Sequence, residues 1–196
     1  MNRSALSVLA LTAFIDMLGF SIIIPVMPYY AEAYGASATV VGLLFASYSI
    51  MQFFFSPVWG SVSDRIGRKP VLIVGLVGAS LGMAVFGIAE NLVLLFIARI
   101  FAGIMASTIP VAQAYAADVT EPEDRAKALG MLGAAIGLGF VIGPAVGGTL
   151  ESFGHGTPAF VAAGLALANA IWTYFALRES LHPDIVLEIV SRMKDR

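Results

Sequence analysis

Six stretches of about twenty residues, almost free of charge, constrain what this chain can fold into more than any other feature. They lie near residues 5–28, 37–59, 71–89, 92–116, 128–150 and 158–177. At ~1.5 Å per helical residue each is long enough to cross roughly 30 Å of hydrocarbon. The first is interrupted only by Asp16 and the fourth only by Arg99; the other four carry no Asp, Glu, Lys or Arg. The composition agrees, because 59% of the residues are hydrophobic and the mean hydropathy is +0.88, above the roughly half-apolar composition of soluble domains. Only helices and closed barrels satisfy their backbone in lipid. Ten-residue alternating segments, the mark of a barrel, are absent, so the sequence predicts an all-α membrane bundle of six helices spanning residues 1–180, followed at 181–196 by a cytoplasmic amphipathic tail or the start of a linker between halves.

Charge placement predicts orientation. Arg3, the cluster Arg65, Arg68 and Lys69, the pair Arg125 and Lys127, and Arg178, Arg192, Lys194 and Arg196 all fall on one side of the six-helix topology. The opposite loops hold Glu32, Glu90, Glu151 and His155 but no Lys or Arg. By the positive-inside rule both termini are expected in the cytoplasm of a multi-pass protein of the cell's inner (plasma) membrane. The first stretch reads as a retained helix and not a cleaved leader, since it contains Asp16 and ends in Pro25, Pro28 and two tyrosines. The chain has no cysteine and two well-separated histidines, so neither a thiolate metal site nor a metal cluster is expected. No nucleophile–base set or phosphate loop appears, so an enzyme, a cofactor and a nucleic-acid partner are not expected.

The segment GSVSDRIGRKP, residues 60–70, gathers four charges between glycines, in the expected turn between the second and third helices. Gly60 and Gly67 relax the backbone there, and Pro70 suits the start of the next helix. Topology accounts for Arg65, Arg68 and Lys69 but not for Asp64, a carboxylate one helical turn from Arg68 at a spacing that suits an ion pair. In the fourth helix Arg99, Gly103, Ala106, Pro110 and Gln113 recur at offsets of four, seven, eleven and fourteen, predicting one stripe along a cavity wall. A lipid-facing arginine would cost about 2.5–3.5 kcal/mol, so Arg99 must face protein or water, either bonding freed carbonyls or acting in transport. In the first helix Asp16, Gly19, Phe20 and Ile23 share a face about 16 Å from the helix start. A carboxyl at that depth, in a cavity whose wetting changes, can take up and release a proton; the alternative is a fixed partner for Arg99 or Thr12. In the fifth helix Gly139, Gly143 and Gly147 recur every four residues beside Pro144, giving a smooth face and a bend.

These residues resemble the major facilitator superfamily. Gly60, Asp64, Arg65, Gly67, Arg68 and Lys69 match its loop pattern G-x-x-x-D-R-x-G-R-[RK]; Arg99 and Gly103 match R-x-x-x-G; Gly139, Gly143, Pro144, Gly147 and Gly148 match the antiporter pattern G-x-x-x-G-P-x-x-G-G. With DMLGFSIIIPVMP at the start, the chain is similar to the N-terminal six-helix half of drug/proton antiporters such as the tetracycline exporters. The resemblance implies proton-coupled efflux of small amphipathic molecules by alternating access. It implies a cytoplasmic gate at residues 60–69 joined by Asp118, proton coupling through Asp16 and Arg99, and a substrate cavity at Asp16, Phe20, Ile23, Arg99, Gly103, Pro110 and Gln113. The partners implied are the lipid bilayer, protons, a small-molecule substrate and a second six-helix half. The alternative is an isolated half, or a half-size homodimer subunit, that folds as a bundle but does not transport alone. "IPV" recurs at 24–26 and 109–111, three helices apart, as expected of a 3+3 inverted repeat. The glycine face of the fifth helix is expected to meet the second unit, with an internal helix as the rival.

Overall fold

The computed structural model describes residues 3–154 and 156–180. The segment read as an amphipathic tail or inter-half linker, 181–196, lies outside the described residues apart from its approach through Ser180. The described residues form eight helices: α1 (Arg3–Ile22), α2 (Val26–Ala33), α3 (Ala38–Ile66), α4 (Arg68–Gly87), α5 (Leu92–Met105), α6 (Thr108–Asp118), α7 (Arg125–Glu151) and α8 (Thr157–Ala176). Six spans long and apolar enough to cross a membrane result, because α1 and α2 form the single span Ser4–Ala33 and α5 and α6 form Leu92–Asp118. No strand occurs among the described residues.

Proline chemistry makes both breaks. Pro25 has no N–H to return to Ser21, so the chain tightens: Ile24 donates to the Ser21 carbonyl at 3.2 Å, and Val26 and Met27 both donate to Ile23 at 3.1 and 2.9 Å, leaving α2 to start afresh. In the fourth span Pro110 likewise cannot serve Ala106. The helix gives way at Ala106–Ser107, where Ala106 bonds back to Gly103 at 3.3 Å and Ser107 to Met105 at 2.7 Å. The two "IPV" segments thus mark corresponding places: one forms the first break, and the other opens the helix just beyond the second.

Packing repeats the same relation. The most extensive contacts pair α1 with α7 and α4 with α8; α3 with α5, α4 with α5 and α1 with α8 follow. Exchanging the first three spans for the last three converts the α1–α7 pair into α5–α3 and the α1–α8 pair into α5–α4. The contact map therefore has the symmetry of two inverted three-helix units. Small and polar groups join them. The Ser80 hydroxyl donates to the Ala163 carbonyl at 2.8 Å, Asn169 Nδ2 donates to the Thr12 carbonyl at 2.9 Å, and the Thr12 and Thr173 hydroxyls meet at 3.2 Å.

Two expectations are corrected. The GSVSDRIGRKP segment is not an extended turn: α3 continues through Asp64 to Ile66, and the reversal is confined to Gly67, whose φ of +108° is one that L side chains avoid. The glycine face of the fifth span meets α1 inside this bundle and not a second unit. A Cβ at Gly139 would lie 2.6 Å from the Phe14 carbonyl oxygen. One at Gly143 would overlap the Ser21 hydroxyl, and one at Gly147 the Ile22 carbonyl. The face offers close approach, and the nearest helix fills it. Ser21 completes the contact by donating to the Gly139 carbonyl at 3.0 Å. Gly148 is different, with open space where its Cβ would stand.

Gly143→Leu is therefore expected to destabilise the single bundle, by at least the ~1–3 kcal/mol typical of overpacking, whereas Gly148→Ala leaves it unchanged. Thermal unfolding of both variants in the same detergent distinguishes them.

Candidate functional site

A cavity of about 170 Å³ opens among α1, α3, α4, α5, α6 and α8. Asp16, half-buried on α1, is the one acidic or basic residue bordering it. Phe20 and Tyr48 face it as a tilted ring pair 4.9 Å apart. Gln52 and Thr108 add polar groups, and Met17, Met83 and Met105 form much of the apolar wall. Thr108 stands at the start of α6 and shares the cavity wall with Asp16. Flexible thioethers beside aromatic rings give a wall that can repack around differently shaped apolar ligands, while one carboxyl fixes polarity.

Asp16 and Phe20 thus border the cavity as the first helix's face predicts, but Ile23 does not. It is fully buried in the apolar cluster around Val26, Met27 and Phe86, because the chain turns at Ile23–Pro25. The stripe predicted for the fourth helix does not line the cavity as a whole. Ala106 borders the cavity. Gly103 instead packs on α3, where a Cβ would come within 2.5 Å of the Tyr48 carbonyl oxygen. Beyond the break the helical phase restarts, leaving Pro110 half-buried and Gln113 exposed, neither at the cavity.

Arg99 is only 3% exposed. Its guanidinium lies over Phe86 at 4.9 Å and Tyr48 at 6.0 Å, a cation–π arrangement that holds a charge where water is scarce. Its Nε and Nη2 have no hydrogen-bond partner, so they bond none of the freed carbonyls considered for them. Among the described residues it forms no ion pair with Asp16. Thr12, the other fixed partner considered for Asp16, is engaged with Thr173.

At the charged end of the bundle Arg68 is the hub. Its guanidinium meets Asp64 at 2.6 Å and Asp118 at 3.0 Å, and it also donates to the Ser63 hydroxyl at 2.6 Å. The Arg68 side chain is 9% exposed while Asp64 and Asp118 are 53% and 30% exposed, so the cation is dry and its partners are not. Asp118 joins the cluster; Arg65 is exposed, Gly60 lies within α3, and Lys69 turns away to sit 5.1 Å over the Tyr174 ring. Glu179, which sequence reading missed, accepts from the backbone N–H groups of Arg68 and Lys69 at 2.9 and 3.1 Å, filling the space a Gly67 side chain would need. It lies more than a hundred residues away in sequence, with no local pattern to reveal it.

These features define a multi-pass membrane bundle with a polar-centred cavity, built from two inverted three-helix units. The sequence matches the Major Facilitator Superfamily over residues 9–188, and the chain belongs to that family. It is similar to multidrug resistance protein 2 of Bacillus subtilis, 38% identical across 99% of this chain and 49% of the relative. It is likewise similar to the class C tetracycline resistance protein of Escherichia coli, 38% identical across 91% of this chain and 46% of the relative. The chain spans about half the length of these relatives. The solved structure of the human organic anion transporter MFSD10 (TETRAN) has the same fold, with a TM-score of 0.81 at 24% identity, covering 93% of this chain and 49% of that one.

Arg68→Ala is expected to cost about 2–3 kcal/mol of bundle stability, below the ~3–5 kcal/mol of fully buried pairs because water still reaches both carboxylates. Asp118→Asn is expected to cost more than Asp64→Asn, its side chain being the less exposed. Denaturant titration of the three variants in detergent measures the order.

Proposed function

We propose that this bundle exports small amphipathic molecules in exchange for protons, by alternating access, together with a second six-helix unit. The observation that carries the reading is Asp16: one carboxyl on a cavity wall otherwise made of rings, thioethers and uncharged polar groups. Such a group binds a proton or the polar end of a substrate, and exchanging one for the other as the cavity opens to alternate sides couples their movements. Arg99, stacked behind Tyr48, contributes a fixed positive charge to the field across the cavity. Relatives named for multidrug and tetracycline resistance support an efflux role.

In this reading both termini and the Asp64–Arg68–Asp118 cluster face the cytoplasm of a plasma membrane, following the basic residues, and the cluster is the gate that fastens when that side is closed. The second unit covers α3 and α7. Only 6% and 17% of these two spans is buried, against 39–44% in the other four, and the inverted repeat relates one to the other. Gly42 on α3 and Gly130, Gly133 and Gly137 on α7 leave open space for a neighbouring backbone. An even number of spans lets a second copy of this chain, or a following half, insert with the same orientation.

Asp16→Asn keeps the shape of the side chain and removes its titration. Efflux driven by an imposed pH gradient in vesicles carrying the complete transporter is expected to be lost, with insertion intact. Undiminished gradient-driven transport would make Asp16 structural.

A further inference from the structure

The lower half of the fourth span, α6, is a helix of its own with one end at the cavity and the other at the charged cluster. Thr108 begins it, 3% exposed, at the cavity beside Asp16. Asp118 ends it and receives the Arg68 guanidinium at 3.0 Å. Eleven residues separate cavity from cluster, a rod of about 16 Å.

The break above α6 is anchored from outside. With the helix interrupted, Thr108 no longer continues the ladder from Ile104, and the Trp59 indole of α3 donates to the Ile104 carbonyl in its place. Ser107, fully buried, donates its hydroxyl to the Val71 carbonyl of α4 at 3.3 Å. It fits because α4 carries Gly75 there, where a Cβ would overlap the Ser107 hydroxyl. Two neighbouring helices thus hold the joint, and α6 leaves it as a separate rigid segment. At its far end Tyr115 also donates to the Arg178 carbonyl, and the Ser180 hydroxyl to Asp118.

We propose that α6 is a strut transmitting the state of Asp16 to the Arg68–Asp118 ion pair, with Thr108 and Trp59 as its positioning residues. The inference rests on the proton-carrying reading of Asp16. An ionised carboxyl sharing the cavity with the start of α6 attracts it twice: it is an acceptor for the Thr108 hydroxyl, and it complements the positive end of the α6 dipole. Protonation of the carboxyl weakens both attractions, and what the near end of a rigid rod does, the far end feels at Asp118. The polar groups that line the cavity with Asp16 are Tyr48 and Gln52 from α3 and Thr108 from α6. The cavity walls of α4 and α8 bear no charge, the α7 face against α1 is glycine, and Arg99 of α5 stands beyond Tyr48, 6.0 Å from its ring. Thr108 is therefore the group through which α6 meets the carboxyl.

The chain has no cysteine, so Ile66→Cys, an exposed site next to Gly67, accepts one environment-sensitive dye. Dye emission is followed against pH for this chain in nanodiscs, while the infrared band of protonated carboxyl groups reports Asp16. The expected result is an emission shift with pH that Asp16→Asn abolishes. Thr108→Val is expected to abolish it too while the Asp16 band still titrates, Thr108→Ser to retain it, and Trp59→Phe to reduce it with the fold intact. A shift preserved in both Thr108→Val and Trp59→Phe, or no shift in the parent while Asp16 titrates, overturns the strut and leaves the proton reading standing. An Asp16 band that never titrates overturns the proton reading, and the strut with it.

Discussion

A carbonyl freed inside hydrocarbon must find another donor, and this bundle depends on how it meets that constraint at two places. Proline interrupts the first span at Pro25 and the fourth near Pro110. At the first break, neighbouring amides reroute to Ser21 and Ile23. At the second, a tryptophan indole from α3 takes up Ile104, and Ser107 reaches across to α4. Each solution fixes the chain in a bent path, so the breaks are built features and not points of looseness. The cavity lies beside the second break, and the first carries Ile23 away from it.

Close approach between helices is the complementary requirement. Apolar surface gains little by leaving lipid for protein, so contact quality and polar bonds decide which helices associate. The α1–α7 contact has both, bare α-carbons at Gly139, Gly143 and Gly147 and a hydroxyl bond from Ser21 to Gly139. It runs along α1 from Phe14, past Asp16, to Ile22 beside the break in the first span. The segment that bends and the segment that carries the carboxyl are thereby held by the same glycine groove.

Much of this was legible in the residues, and the failures share a cause. Lengths of uncharged chain gave six spans because lipid thickness is a one-dimensional constraint. The Asp64–Arg68 pair was legible because i and i+4 meet on any helix. The placement of Asp16 and Phe20 followed from the same periodicity. Periodicity then misled where the helix did not continue: Ile23, Pro110 and Gln113 were assigned by a phase that the breaks reset. The glycine face was correctly read as a contact and assigned to the wrong neighbour, since a smooth face says how close a partner comes and not which helix it is. Contacts between distant segments, Trp59 with Ile104, Asn169 with Thr12 and Glu179 with the start of α4, have no local sequence period to announce them.

Glu179 has a consequence for biogenesis. The first amides of α4 are bonded by a carboxylate more than a hundred residues later in the chain. A ribosome delivers the third span long before that residue exists. Those amides can receive the Glu179 carboxylate only after the sixth span has been made. The corner between the second and third spans thus gains its last two backbone partners late, although it is among the first parts to be made.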